Sequence, residues 1–160
     1  MQSIIGQVLW VSRVCRPDVA ASVSFLSTRI TKWDLQCERQ LRRVVGYLKF
    51  TRLKGLHWFI HADTKINDLV PTLYYDSDHC APRSQSGYVG IVQDVEGKSV
   101  CVVDWSSKRQ ALPTTSSGTS ELVAAHFSVA TAATLLVDIA EFSLTTGGNE
   151  YNRQYQFVLR

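Results

Sequence analysis

Two places in this chain carry carboxylates at a spacing that could do chemistry. The first is Tyr74-Tyr75-Asp76-Ser77-Asp78. On a β-strand alternate residues share a face, so Tyr74, Asp76 and Asp78 point one way while Leu73 and Tyr75 point the other. Two carboxylates at a strand end repel unless a cation or an arginine lies between them, and strand aspartates of this kind bind magnesium or manganese. The same D-x-D also reads as a strand end that enters a solvated loop. The second place is Glu121, at the start of an alanine-rich run. From it Ala124, Ala125, Ser128, Val129, Ala132, Leu135 and Leu136 recur at helical spacing, so Glu121 is expected on the packing face, directed towards a sheet. An uncompensated carboxylate there would be costly, and a bound cation would relieve the cost. The plainer alternative is a first-turn glutamate that complements the helix dipole.

Other reactive residue types are present without a constellation. His57 and His61 are four apart, but in a strand-like run, where that spacing does not converge on a metal; His79 and His126 stand alone. Ser106 and Ser107 follow Asp104 without a histidine in any defined relation, which argues against a serine hydrolase triad. Cys15, Cys37, Cys80 and Cys101 show no C-x-x-C spacing, so the expectation is buried, reduced thiols. Trp10, Trp33, Trp58 and Trp105 read as packing anchors.

The elements that must position these groups fall into two parts. Three helices are expected in residues 1–56: one over 3–11 ended by Arg16-Pro17-Asp18, a second with Val19, Val23, Leu26 and Ile30 in period, and a third over 34–54. In the third, Leu41, Val44, Val45 and Leu48 face inward, and Gly55 is a plausible stop. From residue 57 the period changes to strands at 57–60, 72–76, 87–92 and 99–105, with a polar loop at 62–68 and a turn at Glu96-Gly97. A helix over 121–142 follows, ended by Gly147-Gly148, and then a last strand towards 155–159. The expected fold class is α/β in the broad sense, an α+β mixed sheet.

Charge divides along the same line. The 160 residues carry a net +3. Residues 1–56 hold ten basic and three acidic side chains, and residues 57–160 hold seven and eleven. Arg39, Arg42, Arg43, Lys49, Arg52 and Lys54 could contact the phosphates of a nucleic-acid duplex, or form a solvated helix face. Lys108 and Arg109, placed on a loop before the long helix, have a similar but weaker potential. No secretory leader and no uninterrupted apolar run of about 20 residues is seen, so an intracellular, soluble protein with no membrane partner is expected.

Taken in order, these segments resemble a family. Tyr75-Asp76-Ser77-Asp78-His79, Arg83-Ser84-Gln85-Ser86-Gly87-Tyr88, Asp104-Trp105-Ser106-Ser107-Lys108-Arg109-Gln110 and Ser116-Ser117-Gly118-Thr119-Ser120-Glu121 look like the ribonuclease H region of Ty1/copia-type retrotransposon Pol polyproteins. That region reads approximately S-D-A-D-W, R-S-T-S-G-Y, W-S-S-K-K-Q and S-S-T-E-A-E-Y. Upstream, Arg16-Pro17-Asp18-Val19-Ala20 and Arg42-Arg43-Val44-Val45-Gly46-Tyr47-Leu48-Lys49 resemble the R-P-D-I-A and R-V-L-R-Y-L-K-G-T segments that lead from the reverse transcriptase. The resemblance covers residues 1 to about 143.

It implies a helical connection segment at 1–56 and an RNase H-like domain at 57–160, hydrolysing the RNA strand of RNA–DNA hybrids with two divalent metals, magnesium or manganese. By position Asp76 and Glu121 match the catalytic carboxylates, and Asp78 joins them as a metal ligand. The implied partners are hybrid or other nucleic acid and the polymerase region of the same polyprotein. The departures weigh as much as the matches. His79 replaces the usual tryptophan, Thr119 replaces a glutamate, and the third family carboxylate, expected after a strand at 154–159, falls where Arg160 ends the sequence. Asp138 and Glu141 are helical and cannot substitute. Two or three carboxylates hold two dications poorly, so an inactive or impaired nuclease is expected. The competing reading is a non-catalytic nucleic-acid-binding module or a degenerate transposon remnant.

Overall fold

Residues 2–65, 68–80, 82–146 and 158–159 are described in the computed structural model of the chain. The amino-terminal third is helical, as its periodicity requires. Helix α1, Gln2–Val14, buries Ile5, Val8 and Ser12 and stops before Pro17, which sits at the first position of a short 3-10 turn, Pro17–Val19. Helix α2, Ala20–Ser27, follows directly and buries Val23 and Leu26. Helix α3, Leu35–Phe50, starts at Asp34, whose carboxylate accepts the Cys37 backbone N–H at 2.7 Å. A side-chain oxygen at this position satisfies one of the donors that a helix start leaves open. The helix ends at Phe50, before Gly55. Ile5, Val8, Val19, Val23, Leu26, Cys37, Leu41 and Val44 form one core. Val45, expected inside, is 43% exposed.

The remainder is a sheet covered by one long helix. Strands β1 (Leu69–Ser77), β2 (Gln85–Asp94) and β3 (Val100–Arg109) run antiparallel in sequence order. The β2–β3 turn uses Gly97 at φ +72°, a left-handed conformation that glycine adopts without a Cβ penalty. After α4, Ser117–Thr146, the segment β4, Val158–Leu159, pairs parallel with β1. The sheet order is β3-β2-β1-β4, so the architecture is α+β. Leu73, Tyr88, Val92, Ala132 and Leu136 make the second core. The buried α4 positions Ser120, Ala124, Ser128, Ala132 and Leu136 recur every four residues. Small side chains there let the helix lie close to the strands, and Leu136 comes down over Gly90, where a Cβ would meet its methyl carbons at 3.5 and 3.6 Å.

Several expectations are corrected. Residues 57–60 form no strand; Phe59 makes a single bridge to Val100, and Trp58, Phe59 and Ile60 are largely exposed. Trp105 is a buried anchor, whereas Trp10 and Trp58 are 66% and 71% exposed. No disulfide joins the cysteines, but only Cys37 is buried, and Cys15 and Cys80 are exposed. Lys108 and Arg109 end strand β3 instead of lying on a loop. Ser117–Glu141 of α4 is long and apolar enough, by length and composition, to cross a membrane. One face of it packs on the sheet. The expected helix end at Gly147-Gly148, residues 154–157 of the expected last strand, and Arg160 lie outside the described residues.

The two parts touch. The Trp105 indole N–H donates to the Ser12 carbonyl at 2.8 Å, Arg13 pairs with Asp104 at 2.8 Å, and the Gln85 amide donates to Ser24 Oγ at 3.2 Å. Helices α1 and α2 therefore lie against one side of the sheet, while α4 covers the other.

Candidate functional site

Strand alternation fixes where the aspartates point. Leu73 belongs to the core beneath α4, and Tyr74 and Asp76 belong to the opposite face. There they line a cavity of about 320 Å3 with Pro17 and Ala20 of the helical part and with Val89 and Trp105. Asp76 and Asp78 are both exposed. The Asp76 carboxylate accepts the backbone N–H of Ser77 at 2.7 Å. Asp78 closes the connection between β1 and β2: its carboxylate accepts the Gln85 N–H, and its own N–H donates to the Gln85 carbonyl at 3.1 Å.

Glu121, expected in the first turn of the helix, lies one turn further in, because α4 begins at Ser117 and has no acidic residue in its first turn; it is exposed. The buried stripe begins one residue earlier, at Ser120. The hydroxyl of Ser120 donates to the Asp78 carbonyl at 3.4 Å, so the helix start is laid against the strand end that carries the aspartates. What holds it there is Gln110. That side chain is 95% buried; its amide donates to Ser86 Oγ at 3.0 Å and to the Ser120 carbonyl at 2.9 Å. Gln110 stood out in the sequence only as the end of a motif, and nothing in one sequence marks a strand-end glutamine as buried.

Among the described residues no group of three or more His, Cys, Asp or Glu is gathered closely enough to hold a metal ion. Asp76, Asp78 and Glu121 thus do not form a common cluster, and both aspartates spend a carboxylate oxygen on a backbone N–H. This donor set does not fit a pair of divalent cations, which needs several carboxylates to offset the repulsion between ions about 3.5–4 Å apart.

The basic residues are placed more simply. Arg39, Arg42, Arg43 and Lys49 project from α3 on the side away from Cys37, Leu41 and Val44, and all are exposed. Arg42 pairs with Glu38 at 3.0 Å. Arg52 and Lys54, also exposed, follow the helix. Lys108 is directed to the α4 side, its ammonium 5.8 Å from the Phe127 ring centre. Arg109 pairs across the sheet with Gln85, far from a shared patch with Lys108, since neighbouring residues of a strand face opposite ways.

Comparison with known proteins supplies the relationship. A Ty5-1 transposon protein of Saccharomyces cerevisiae is 33% identical over 112 residues, 68% of this chain and 33% of that protein. The mitochondrial protein AtMg00810 of Arabidopsis thaliana is 29% identical over 124 residues, 75% of this chain and 46% of that protein. The chain belongs to the Ty1/copia-type retrotransposon Pol proteins. It spans between a third and a half of the length of these curated relatives. No family model matches, and no solved structure matches.

Within this Ty1/copia-type chain the two upstream motifs have a structural meaning. Arg16 and Asp18 of the R-P-D segment are joined to Tyr47 and Thr51 at the end of α3. The Arg16 guanidinium forks onto Asp18 at 2.9 and 2.7 Å, and the Tyr47 hydroxyl donates to the same carboxylate at 2.8 Å. These contacts hold the Asp18 carboxyl below the usual carboxylate range, the Arg16 hydrogen bond being the largest cause.

Proposed function

We propose that this chain is the reverse transcriptase end and RNase H-like region of a Ty1/copia-type Pol polyprotein. Its role in this reading is to bind RNA–DNA hybrid through the basic side of α3, in contact with the polymerase region of the same polyprotein and inside the cell. It hydrolyses the RNA strand weakly or not at all. The observation that carries the reading is the order of elements: three antiparallel strands, a long helix, and then a strand parallel to β1 on its free side. Asp76 stands at the carboxyl end of β1 and Glu121 one turn into α4, where an RNase H-like arrangement would use them. The weak hydrolysis follows from the same geometry, because Asp76, Asp78 and Glu121 are the residues that would approach magnesium or manganese and they do not converge. Their incomplete grouping favours binding over turnover.

The test is a gel assay on an RNA–DNA hybrid with magnesium and with manganese. Little or no cleavage is expected, with any residual cleavage unchanged by Asp76→Asn. Robust cleavage that Asp76→Asn abolishes would show a working site and overturn the binding-only reading. Affinity for the hybrid should fall steeply with salt, since phosphate contacts release counterions; a flat response would remove the role of α3.

A further inference from the structure

We propose that the cavity between α2, α3 and the β1–β2 end binds one unpaired nucleotide of a nucleic-acid strand, with Arg43 on its phosphate. The proposal rests on the nucleic-acid reading above and names a subsite within it. The cavity is about 470 Å3, within the range of about 300–1,000 Å3 in which small ligands are held. It brings together two features that are far apart in the sequence, the basic helix and the aspartate strand end.

Its walls differ in chemistry. Phe25 and Leu26 of α2 make an apolar side, while Gln40 and Arg43 of α3 face Asp78 and Gln85 across it. Arg43 is the informative residue. Arg42 is paired with Glu38, Arg16 with Asp18 and Arg13 with Asp104, but Arg43 is in no ion pair among the described residues. A guanidinium has five donors and no acceptor, and its planar fork matches a phosphate. Asp78, though close by, is engaged with the Gln85 backbone N–H. The Arg29 guanidinium lies 5.2 Å from the centre of the Phe25 ring.

The rest of the cavity argues for a nucleotide over a bare anion. Apolar walls do nothing for inorganic phosphate, but they accept a base or a sugar, as sites for single strands commonly do. Gln85 adds direction. Its amide nitrogen donates to Ser24 Oγ and to Ser107 Oγ, at 3.2 and 2.9 Å, so both hydrogens are used and only the carbonyl oxygen is offered to an incoming base. Gln40 supplies a second amide from the opposite wall. A base inside a duplex cannot enter such a pocket; an unpaired one at a strand end can.

The experiment uses the full chain and two labelled probes, a blunt RNA–DNA hybrid and the same hybrid with a single-stranded tail of about six nucleotides. Fluorescence anisotropy should show tighter binding of the tailed probe. Arg43→Gln should weaken the tailed probe about tenfold and remove the preference. Gln40→Ala should reduce the preference while leaving blunt-hybrid affinity unchanged. Arg52→Gln, outside the cavity, should weaken both probes alike and preserve the preference. Equal binding of both probes by the unaltered chain, or a preference that survives Arg43→Gln, overturns the nucleotide site and leaves hybrid binding standing. Failure of both probes to bind at low salt overturns both readings.

Discussion

Arg16, between α1 and α2, and Thr51, just after α3, are joined by two hydrogen bonds: one guanidinium nitrogen donates to the Thr51 hydroxyl at 2.6 Å and the other to its carbonyl at 3.1 Å. Arg16 is buried, and its remaining donors fork onto Asp18. The Tyr47 ring, 5.4 Å from the guanidinium carbon, covers it. One side chain therefore satisfies the end of α3 while fixing the turn before α2, which explains why the R-P-D segment and the Y-L-K-x-T segment occur together.

Removing that group strands its partners. Arg16→Ala leaves the buried Thr51 carbonyl without its guanidinium donor and the Asp18 carboxylate with only the Tyr47 hydroxyl, and such losses cost about 1–3 kcal/mol. Arg16→Lys cannot reproduce the fork and should cost more than half as much. Urea unfolding followed by circular dichroism measures both. A change within experimental error for Arg16→Ala would mean that this network contributes nothing to the fold.

Acid should dissolve the same network. Asp18 is held below the ordinary carboxylate range, by Arg16 first and Tyr47 further down. Asp94, buried in the β2–β3 turn, is also held low: burial opposes this, but the N–H groups of Ser99 and Lys98 and the Thr64 hydroxyl outweigh it. A carboxyl with a lowered folded value gives stability above its unfolded value, about 3.9, and loses it as pH falls through the folded one. Stability should therefore be level near neutrality and decline below about pH 4. In Asp18→Asn the decline should be shallower; an unaltered slope would exclude Asp18 as its source.

Gln110 is the test of how α4 is seated. Gln110→Leu removes donors to Ser86 and Ser120, leaving buried oxygens unpaired at a cost of about 1–3 kcal/mol. Hydrogen exchange should then quicken at the first turn of α4 more than at Ala132 or Leu136, which are held by apolar packing. Uniform quickening along the helix would mean that Gln110 supports the fold without fixing the helix start.

Much of this was legible in the sequence, for local reasons. Pro17 and Asp34 mark helix starts because a missing N–H and a capping carboxylate act on their nearest neighbours. The alternation at Leu73 to Asp76 placed the aspartates on the face opposite the core. Where the reading failed, a partner elsewhere in the chain decided. Residues 57–60 have strand-forming side chains, but Phe59 finds only Val100 to pair with. The stripe on α4 was centred too far round because Val129 and Leu135 were counted inside, although both are exposed, while Ser120, fully buried like Ser128, was left out. Ser128 satisfies its hydroxyl on the Ala125 carbonyl at 2.8 Å, a bond that its own helix supplies. Glu121 was placed inside by that displacement, and the convergence expected of the three carboxylates depended on it.

Tyr88 offers a probe of the second core at the opposite end of the pH scale. Its phenol is pushed up to about 12, by burial first and then by donating to Asp104, at 2.7 Å. Its ring packs edge-on against Phe127, centroids 5.5 Å apart. A raised phenol value means that the neutral form is favoured in the fold, so this stability is fully present below the unfolded value of about 10 and is lost as pH rises through about 12. Absorbance titration of the phenolates should contain a late component, accompanied by loss of tertiary signal, that Tyr88→Phe removes. The substitution keeps the ring on Phe127 and leaves Asp104 paired with Arg13, so it should cost only about 1 kcal/mol at neutral pH. A late component that persists in Tyr88→Phe would place the buried phenol elsewhere.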